Sequence, residues 1–390
     1  MSYKIYKIKD IGEVVSGTTP STNNESYWNG NIKWITPAEL IDGHNWYLYD
    51  TNRKITEKAF KDCNLRMLPR GTILLTSRAP IGKVAIVGEE MCTNQGFKSI
   101  ICNPNYVNSE YLYFWLLSKK DYLNHLGRGA TFKEISKSIV ENIEVPLPSL
   151  EIQNKIVEIL KKALNLIDKR KAQIEALDQL TQSVFLEMFG DPVTNKTWER
   201  RPLKDIADVR DGTHDSPKYV PNGYPLVTSK NIKNGKIDLS NVNYISEEDF
   251  ININKRSKVD VGDIIMPMIG TIGNPIIVDE QPNFAIKNVA LIKFNNPLVV
   301  NIYLKYLLDS HYLDYILNKN KRGGTQKFLS LTDIRNMEIP LPPRDLQDKF
   351  SEIVKKIDSQ KSILHKSLRE LEKNFNSLMQ RAFKGELFND

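Results

Sequence analysis

The sequence predicts an α+β protein built by tandem duplication: a mixed α/β globular domain followed by a long helix, written twice. Three observations carry this. The stretch ENIEVPLPSLEIQNKIVEIL, from Glu141, returns with changes as RNMEIPLPPRDLQDKFSEIV, from Arg335. Other matches keep the same order along the chain, at an offset of about 190–195 residues. Behind each Pro-Leu-Pro corner, about forty residues carry apolar side chains at alternating three- and four-residue steps. That spacing belongs to a helix packed along another helix, and a fixed period is the mark of a repeated structural unit.

The collinear matches define the unit. IKDIGEVVSGTT from Ile8 pairs with LKDIADVRDGTH from Leu203, and WITPAELIDG from Trp34 with LVTSKNIKNG from Leu226. ITEKAF from Ile55 pairs with ISEEDF from Ile245, and RGTILL from Arg70 with VGDIIM from Val261. YLYFWLLS from Tyr111 pairs with YLKYLLDS from Tyr303, GRGATFKEIS from Gly127 with KRGGTQKFLS from Lys321, and SVFLEMFG from Ser183 with SLMQRAFKG from Ser377. Within each globular part, short β-rich runs such as TILLT, VAIV, DIIM and VALIKF are cut by Gly, Pro and Asn turns. One helix, carrying the YL-x-x-x-LL pattern, interrupts them.

The long helices come next. In the first, Ile156, Leu160, Ala163, Ile167, Ile174, Leu177, Val184 and Met188 form the stripe, with Arg170 and Thr181 breaking it. In the second, Phe350, Ile353, Ile357, Leu364, Leu368, Leu371, Phe375, Leu378 and Ala382 do so, interrupted near Gln360. Glu151 and Asp345 sit in the first turns, where the helix dipole favours them. Gly190 and Gly385 follow the ends. Matched lengths predict that the two helices pair with each other as an antiparallel coiled coil, a pseudo-twofold dumbbell with a globular head at either end. The expected boundaries are residues 1–148 and 191–342 for the heads, and 149–190 and 343–390 for the helices.

Composition narrows the function classes. The chain has 390 residues, 41% hydrophobic and 26% charged, with mean hydropathy -0.39. No run of about 18 apolar residues occurs. MSYKIYKIKD is charged and lacks the apolar centre of a secretory signal. Cys63, Cys92 and Cys102 never fall in a C-x-x-C spacing, so disulfides and zinc are not expected and a reducing cytoplasm fits. A formal charge of +7 points toward a polyanion.

Catalytic motifs are missing where they would be visible. Neither Gly82-Lys83 nor Gly235-Lys236 has a phosphate-cradling context. No N-P-P-Y-type methyltransferase motif and no Pro-Asp dipeptide of a metal nuclease is present. His44, His125, His214, His311 and His365 lie at no metal-ligand spacing. His214-Asp215-Ser216 are neighbours on a loop, which does not make a triad. The expectation is a binding or scaffolding protein, not an enzyme.

Two related heads with different loops, TTPSTNNESYWNGN beside THDSPKYVPNGY, suit an asymmetric two-part target. B-DNA repeats about every 34 Å, so two heads on one face would read two short tracts about one turn apart. The repeated E-(V/I)-P-L-P corner with Gln153 and Gln347, the closing QRAFKGEL, and VSGTTPS, YWNGNIKW, TSRAPIGKVAI and NQGFKSI in that order resemble specificity subunits of type I restriction-modification enzymes over nearly the whole chain. The resemblance implies two target-recognition domains that read a bipartite double-stranded DNA site, joined by spacer helices. It implies two methyltransferase subunits and motor-nuclease subunits as partners, which would hold the S-adenosylmethionine, ATP and Mg2+. The alternative is a coiled-coil adaptor that binds proteins and no DNA; a self-sufficient nuclease or methylase is a further rival.

Direct base readout calls for Arg, Asn and Gln on loops, and phosphate contacts for Lys, Arg and hydroxyls. In the first head the candidates are Thr18, Thr19, Ser77, Arg78, Asn94, Gln95, Lys98, Arg128, Thr131 and Lys133. In the second they are Thr213, His214, Ser229, Lys230, Asn231, Thr271, Lys287, Asn288, Arg322, Thr325, Gln326 and Lys327. Trp28, Trp34 and Trp46 are expected to pack in cores or rims. Gln153 and Gln347 are expected to tie each head to its helix.

Overall fold

The computed structural model describes residues 3–40, 46–78, 80–128, 133–233, 235–269, 272–319 and 328–388. They divide into two compact units: Met1–Ala172 with His365–Asp390, and Gln173–Leu364. Each holds one head and parts of both long helices.

In the first unit a five-stranded sheet runs Gly12–Ser16, Lys98–Cys102, Ile73–Leu75, Val84–Val87, Tyr47–Leu48. A second sheet flanks the central strand Trp28–Ile35 with Arg53–Ile55, antiparallel, and Cys92–Thr93, parallel. Helix Ser109–Ser118 buries Tyr111 through Leu116; the Asn108 side chain caps it by accepting from the Glu110 and Tyr111 N–H groups. Lys4–Lys7 pairs antiparallel with Glu144–Leu147 and so closes the head where the long helix starts.

The second unit repeats this plan. Its larger sheet runs Asp208–Asp211, Val289–Lys293, Ile264–Pro267, Ile276–Ile277. Its smaller sheet flanks Tyr224–Val227 with Asn243–Ile245, antiparallel, and Ala285–Ile286, parallel. Glu199–Pro202 pairs with Glu338–Leu341 as the closing ladder. The units differ in their additions: Tyr47–Leu48 extends the sheet of the first, whereas the second has the hairpin Ile232–Lys233 with Lys236–Ile237.

The central helix spans Leu150–Phe189 and the C-terminal helix Arg344–Phe383, 40 residues each, or about 60 Å at 1.5 Å per residue. The glutamines anchor their first turns, as the corner sequences suggest. Gln153 is fully buried; its Oε1 accepts from Asn108 N–H at 2.8 Å, and its Nε2 donates to the carbonyls of Tyr106 and Pro148, both at 3.0 Å. Gln347, equally buried, accepts from Val300 N–H at 2.9 Å and donates to Leu298 and Pro342 at 3.0 and 2.9 Å. Beside each bracket a buried tyrosine, Tyr111 or Tyr303, donates to the carbonyl of Pro146 or Pro340 at 2.7 Å. Sequence repetition here is repetition of a hydrogen-bonded joint.

The long helices pack on one another within each unit. In the first, Ile152, Ile156, Leu160 and Ile167 share a core with Phe375, Met379, Ala382 and Phe383, and Lys171 pairs with Glu372 at 3.5 Å. In the second, Phe350 meets Phe185 and Phe189 with ring centroids 5.6 and 5.3 Å apart, while Lys361 binds Asp178 at 2.5 Å. As residue numbers rise on one helix they fall on the other, so the pairing is antiparallel. Thr181 does not break the stripe: it is buried, its hydroxyl donating to the Leu177 carbonyl at 2.9 Å. A hydroxyl satisfied on its own helix fits an apolar seam.

Candidate nucleic-acid interface

In both units the candidate loops emerge where the larger sheet meets the smaller one. Strand Gly12–Ser16 leaves the larger sheet through Gly17, and Asp208–Asp211 through Gly212. A Cβ on Gly17 would fall 1.9 Å from the Asn94 carbonyl oxygen, and one on Gly212 would fall 2.5 Å from that of Ile286. Only glycine admits that crossing. Thr18 N–H then donates to the Thr93 carbonyl at 2.9 Å, and Thr213 N–H to that of Ile286 at 3.0 Å. The next residue, Thr19 or His214, is thereby set beside the second strand crossing.

In the first unit Thr19 donates through Oγ1 to Gln95 Oε1, and Asn94 Oδ1 accepts from Gly96 N–H at 2.8 Å. Thr18, Thr19 and Asn94 are half-buried and Gln95 is exposed. The same segment continues to Lys98, where a second group forms around a residue the sequence reading missed, Glu134. Its Oε1 accepts from Lys98 Nζ at 3.2 Å and from Ser77 Oγ at 3.3 Å, and its Oε2 lies 4.0 Å from Arg78 Nη1. Ser77 and Lys98 are buried, whereas Arg78 remains 38% exposed. They therefore serve the platform: Ser77 N–H and Oγ both donate to the Gly96 carbonyl, at 2.7 and 3.1 Å. Arg128 and Glu134 exchange both backbone hydrogen bonds, at 3.1 and 3.0 Å, in one antiparallel bridge, and both Arg128 and Lys133 are exposed. Thr131 lies outside the described residues.

In the second unit His214 is the hub. Its Nε2 is 2.7 Å from Asp211 Oδ2 and its Nδ1 is 2.9 Å from Asn288 Oδ1. Asp211, nearly buried, also binds Arg256. The hydrogen bonds to Asn288 and Asp211 raise the His214 pKa above its ordinary value, against partial burial and, less strongly, the Arg256 charge. Two acceptors around one imidazole favour the ring that donates from both nitrogens, the cation. Asn288 holds a left-handed backbone, φ 54°, which asparagine tolerates better than most residues. Lys287 donates to Ser216 Oγ at 2.6 Å, and its N–H binds the Val227 carbonyl at 2.9 Å, bringing the Thr228 loop alongside. There Lys230 is exposed and Ser229 half-buried, but Asn231 is buried, with Nδ2 donating to Asp238 and Asn241 carbonyls and Oδ1 accepting from Thr228. Thr271, Arg322, Thr325, Gln326 and Lys327 lie outside the described residues.

The structure thus gathers Thr18, Thr19, Asn94 and Gln95, then Ser77, Arg78 and Lys98, then Arg128 and Lys133 in one head. It gathers Thr213, His214, Lys287 and Asn288 in the other, with Ser229 and Lys230 nearby. Glu134, Asp211 and Arg256 were missed because a carboxylate beside basic loops has no signature until the fold brings distant segments together. The tryptophans pack as expected: Trp34 is buried, edge-on to Trp28 at 5.1 Å, and Arg53 stacks over Trp28 at 3.9 Å. Trp46 packs against Phe114 at 5.0 Å. Exposed cations, amides and hydroxyls on backbone-braced loops can contact phosphates and base edges together. Among the described residues no three His, Cys, Asp or Glu side chains converge as a metal site would require.

Comparisons with known proteins agree with this layout. The family of the type I restriction modification DNA specificity domain matches twice, at residues 2–177 and 195–373. The type I restriction enzyme MjaIX specificity subunit of Methanocaldococcus jannaschii is 34% identical, over 99% of this chain and 93% of its own. The EcoBI specificity subunit of Escherichia coli is 25% identical over 94% of this chain and 77% of its own. Among solved structures, the type I restriction-modification S subunit of M. genitalium superposes with TM-score 0.52 at 16% identity, covering 100% of this chain and 96% of that one. A chain of a type I R-M system, from a structure concerned with complex assembly and conformational transition, gives TM-score 0.65 at 18% identity, with 99% and 98% covered. These last two likenesses concern the fold alone. With two tandem matches that together span most of its length, and a relative at 34% identity along nearly all of it, the chain belongs to the type I restriction-modification DNA specificity family.

Proposed function

We propose that this chain is the specificity subunit of a type I restriction-modification enzyme, and that each head reads one part of an asymmetric two-part DNA site. The observation that carries this is one scaffold used twice with unlike polar loops at the same crossing: Thr19 with Gln95 in one unit, His214 with Asn288 in the other. A conserved frame with exchanged side chains is what two different base sequences require of two copies of one reader. Residues 1–148 and 191–342 act as target-recognition domains, and 149–190 and 343–390 as spacer helices whose length sets the gap between the half-sites. The chain contributes specificity and no catalysis. Two methyltransferase subunits and the motor-nuclease subunits assemble on it in the cytoplasm and bring S-adenosylmethionine, ATP and Mg2+.

Direct contact with DNA belongs to the exposed members of the clusters, Gln95, Arg128, Lys133, His214 and Lys230, together with the half-buried Arg78. The buried ones, Ser77, Lys98 and Asn231, hold the loops in shape. The test is footprinting of the chain with its methyltransferase partners. Protection of two short tracts about one helical turn apart is expected; no sequence-dependent protection would turn the assignment toward a protein adaptor.

A further inference from the structure

The second unit leaves two large apolar side chains in the open where the first unit carries charge. Ile269 and Phe328 form an antiparallel bridge and are 49% and 51% exposed. Aligning GRGATFKEIS with KRGGTQKFLS sets Phe328 against Glu134. The backbone agrees, because Ile135 N–H donates to the Ser77 carbonyl and Leu329 N–H to that of Met268, both at 3.0 Å. Ser77-Arg78 in one unit therefore takes the place of Met268-Ile269 in the other. One frame holds Arg78 and Glu134, 4.0 Å apart, in the first head, and an exposed hydrophobic pair in the second.

The surroundings say what such a pair would meet. Pro267 pairs with Val289, so the strand that continues to Ile269 leaves the sheet beside Asn288 and Lys287. Those two residues hold His214 and Ser216 in the exposed polar cluster described above. An apolar spot rimmed by cationic and amide groups is complementary to a duplex groove, where phosphates flank base edges. The major groove offers one apolar group to read, the C5-methyl of thymine.

We propose that Ile269 and Phe328 pack against a thymine C5-methyl group in the part of the DNA site read by the second unit, an inference that rests on the DNA-reading role proposed above. The equivalent Arg78 and Glu134 have the opposite chemistry. A guanidinium matches guanine O6 and N7, while the Glu134 carboxylate is engaged by Lys98 and Ser77. The same position in the repeat thus asks for different bases in the two halves.

The test uses the chain assembled with its methyltransferase partners and a duplex carrying its mapped site, with each thymine replaced in turn by deoxyuridine. That change removes the methyl group and leaves pairing intact. At one or two thymines of the second unit's half, binding should weaken about three- to fivefold, the worth of one buried methyl group. Phe328→Ser and Ile269→Ser should abolish that sensitivity while the footprint persists, and Phe328→Leu should keep it. A half-site without thymine on either strand, uridine tolerated everywhere in it, or Phe328→Ser as sensitive as the natural chain would each overturn the proposal. Variant complexes that lose a protein partner with an unchanged uridine response would also overturn it, assigning the patch to that partner. Wild-type complexes that show no site preference on ordinary DNA would overturn the DNA-reading role itself.

Discussion

Replacing Gln153 by alanine tests the joint between the first head and its helix. The side chain is fully buried and satisfies three backbone groups: Asn108 N–H and the carbonyls of Tyr106 and Pro148. One N–H and two carbonyls leave a single amide orientation, since only oxygen accepts and only the NH2 group donates. Truncation strands all three. Each stranded buried polar group costs about 1–3 kcal/mol, and water entering the small void recovers part of this. A net loss of about 3–5 kcal/mol is expected, a large share of a domain's total of roughly 5–15 kcal/mol. A chain with two units need not unfold in one step, so the assay is hydrogen exchange at individual amides. Asn108 should lose protection by about two orders of magnitude, equivalent to about 3 kcal/mol. Val300, held by the matching Gln347, should be unchanged. Gln153→Met refills the space without the polar atoms and should be nearly as damaging. If methionine restores protection, packing and not hydrogen bonding makes the joint; if Asn108 protection never changes, the reasoning is wrong.

Other perturbations reach the helices and the second head. Phe350→Ala removes a fully buried ring that touches Phe185, Phe189 and Tyr306, and should cost about 3–5 kcal/mol in urea denaturation of the second unit. Because the His214 pKa is raised, the stabilisation from its bonds to Asn288 and Asp211 is complete below the ordinary histidine value and is lost as pH rises through the elevated one. DNA affinity measured across that window should fall with rising pH, and His214→Gln should flatten the dependence. Inserting four residues into each long helix adds about 6 Å, and methylation mapping should then find the same half-sites with a longer gap.

Much of this architecture is legible in the sequence because a repeat constrains itself. The Pro-Leu-Pro-x-x-x-x-Gln corner appears twice since the same three backbone groups need the same amide in both units. Helix stripes are visible because packing imposes a short period. The candidate site is legible only in outline. Polar loop residues look exposed, yet Ser77 and Lys98 are buried, for their partner Glu134 lies 57 and 36 positions further on. Asn231 looks like a base reader and is occupied instead by Asp238, Asn241 and Thr228. His214 is legible as a loop candidate, but not as a hub, until the sheet brings Asn288 to it from 74 positions away. Spacing along a chain reports local periodicity; it carries no record of which distant loops the sheet edges bring together.

The claim that one head reads each half of the site is tested most directly by exchanging residues 1–148 for the matching segment of a family member with different loops, then mapping methylated positions in DNA from cells that carry the hybrid with its partners. The account predicts that one half of the methylated site changes, while the other half and the gap between them stay as they were. A change in both halves, or in neither, would contradict it.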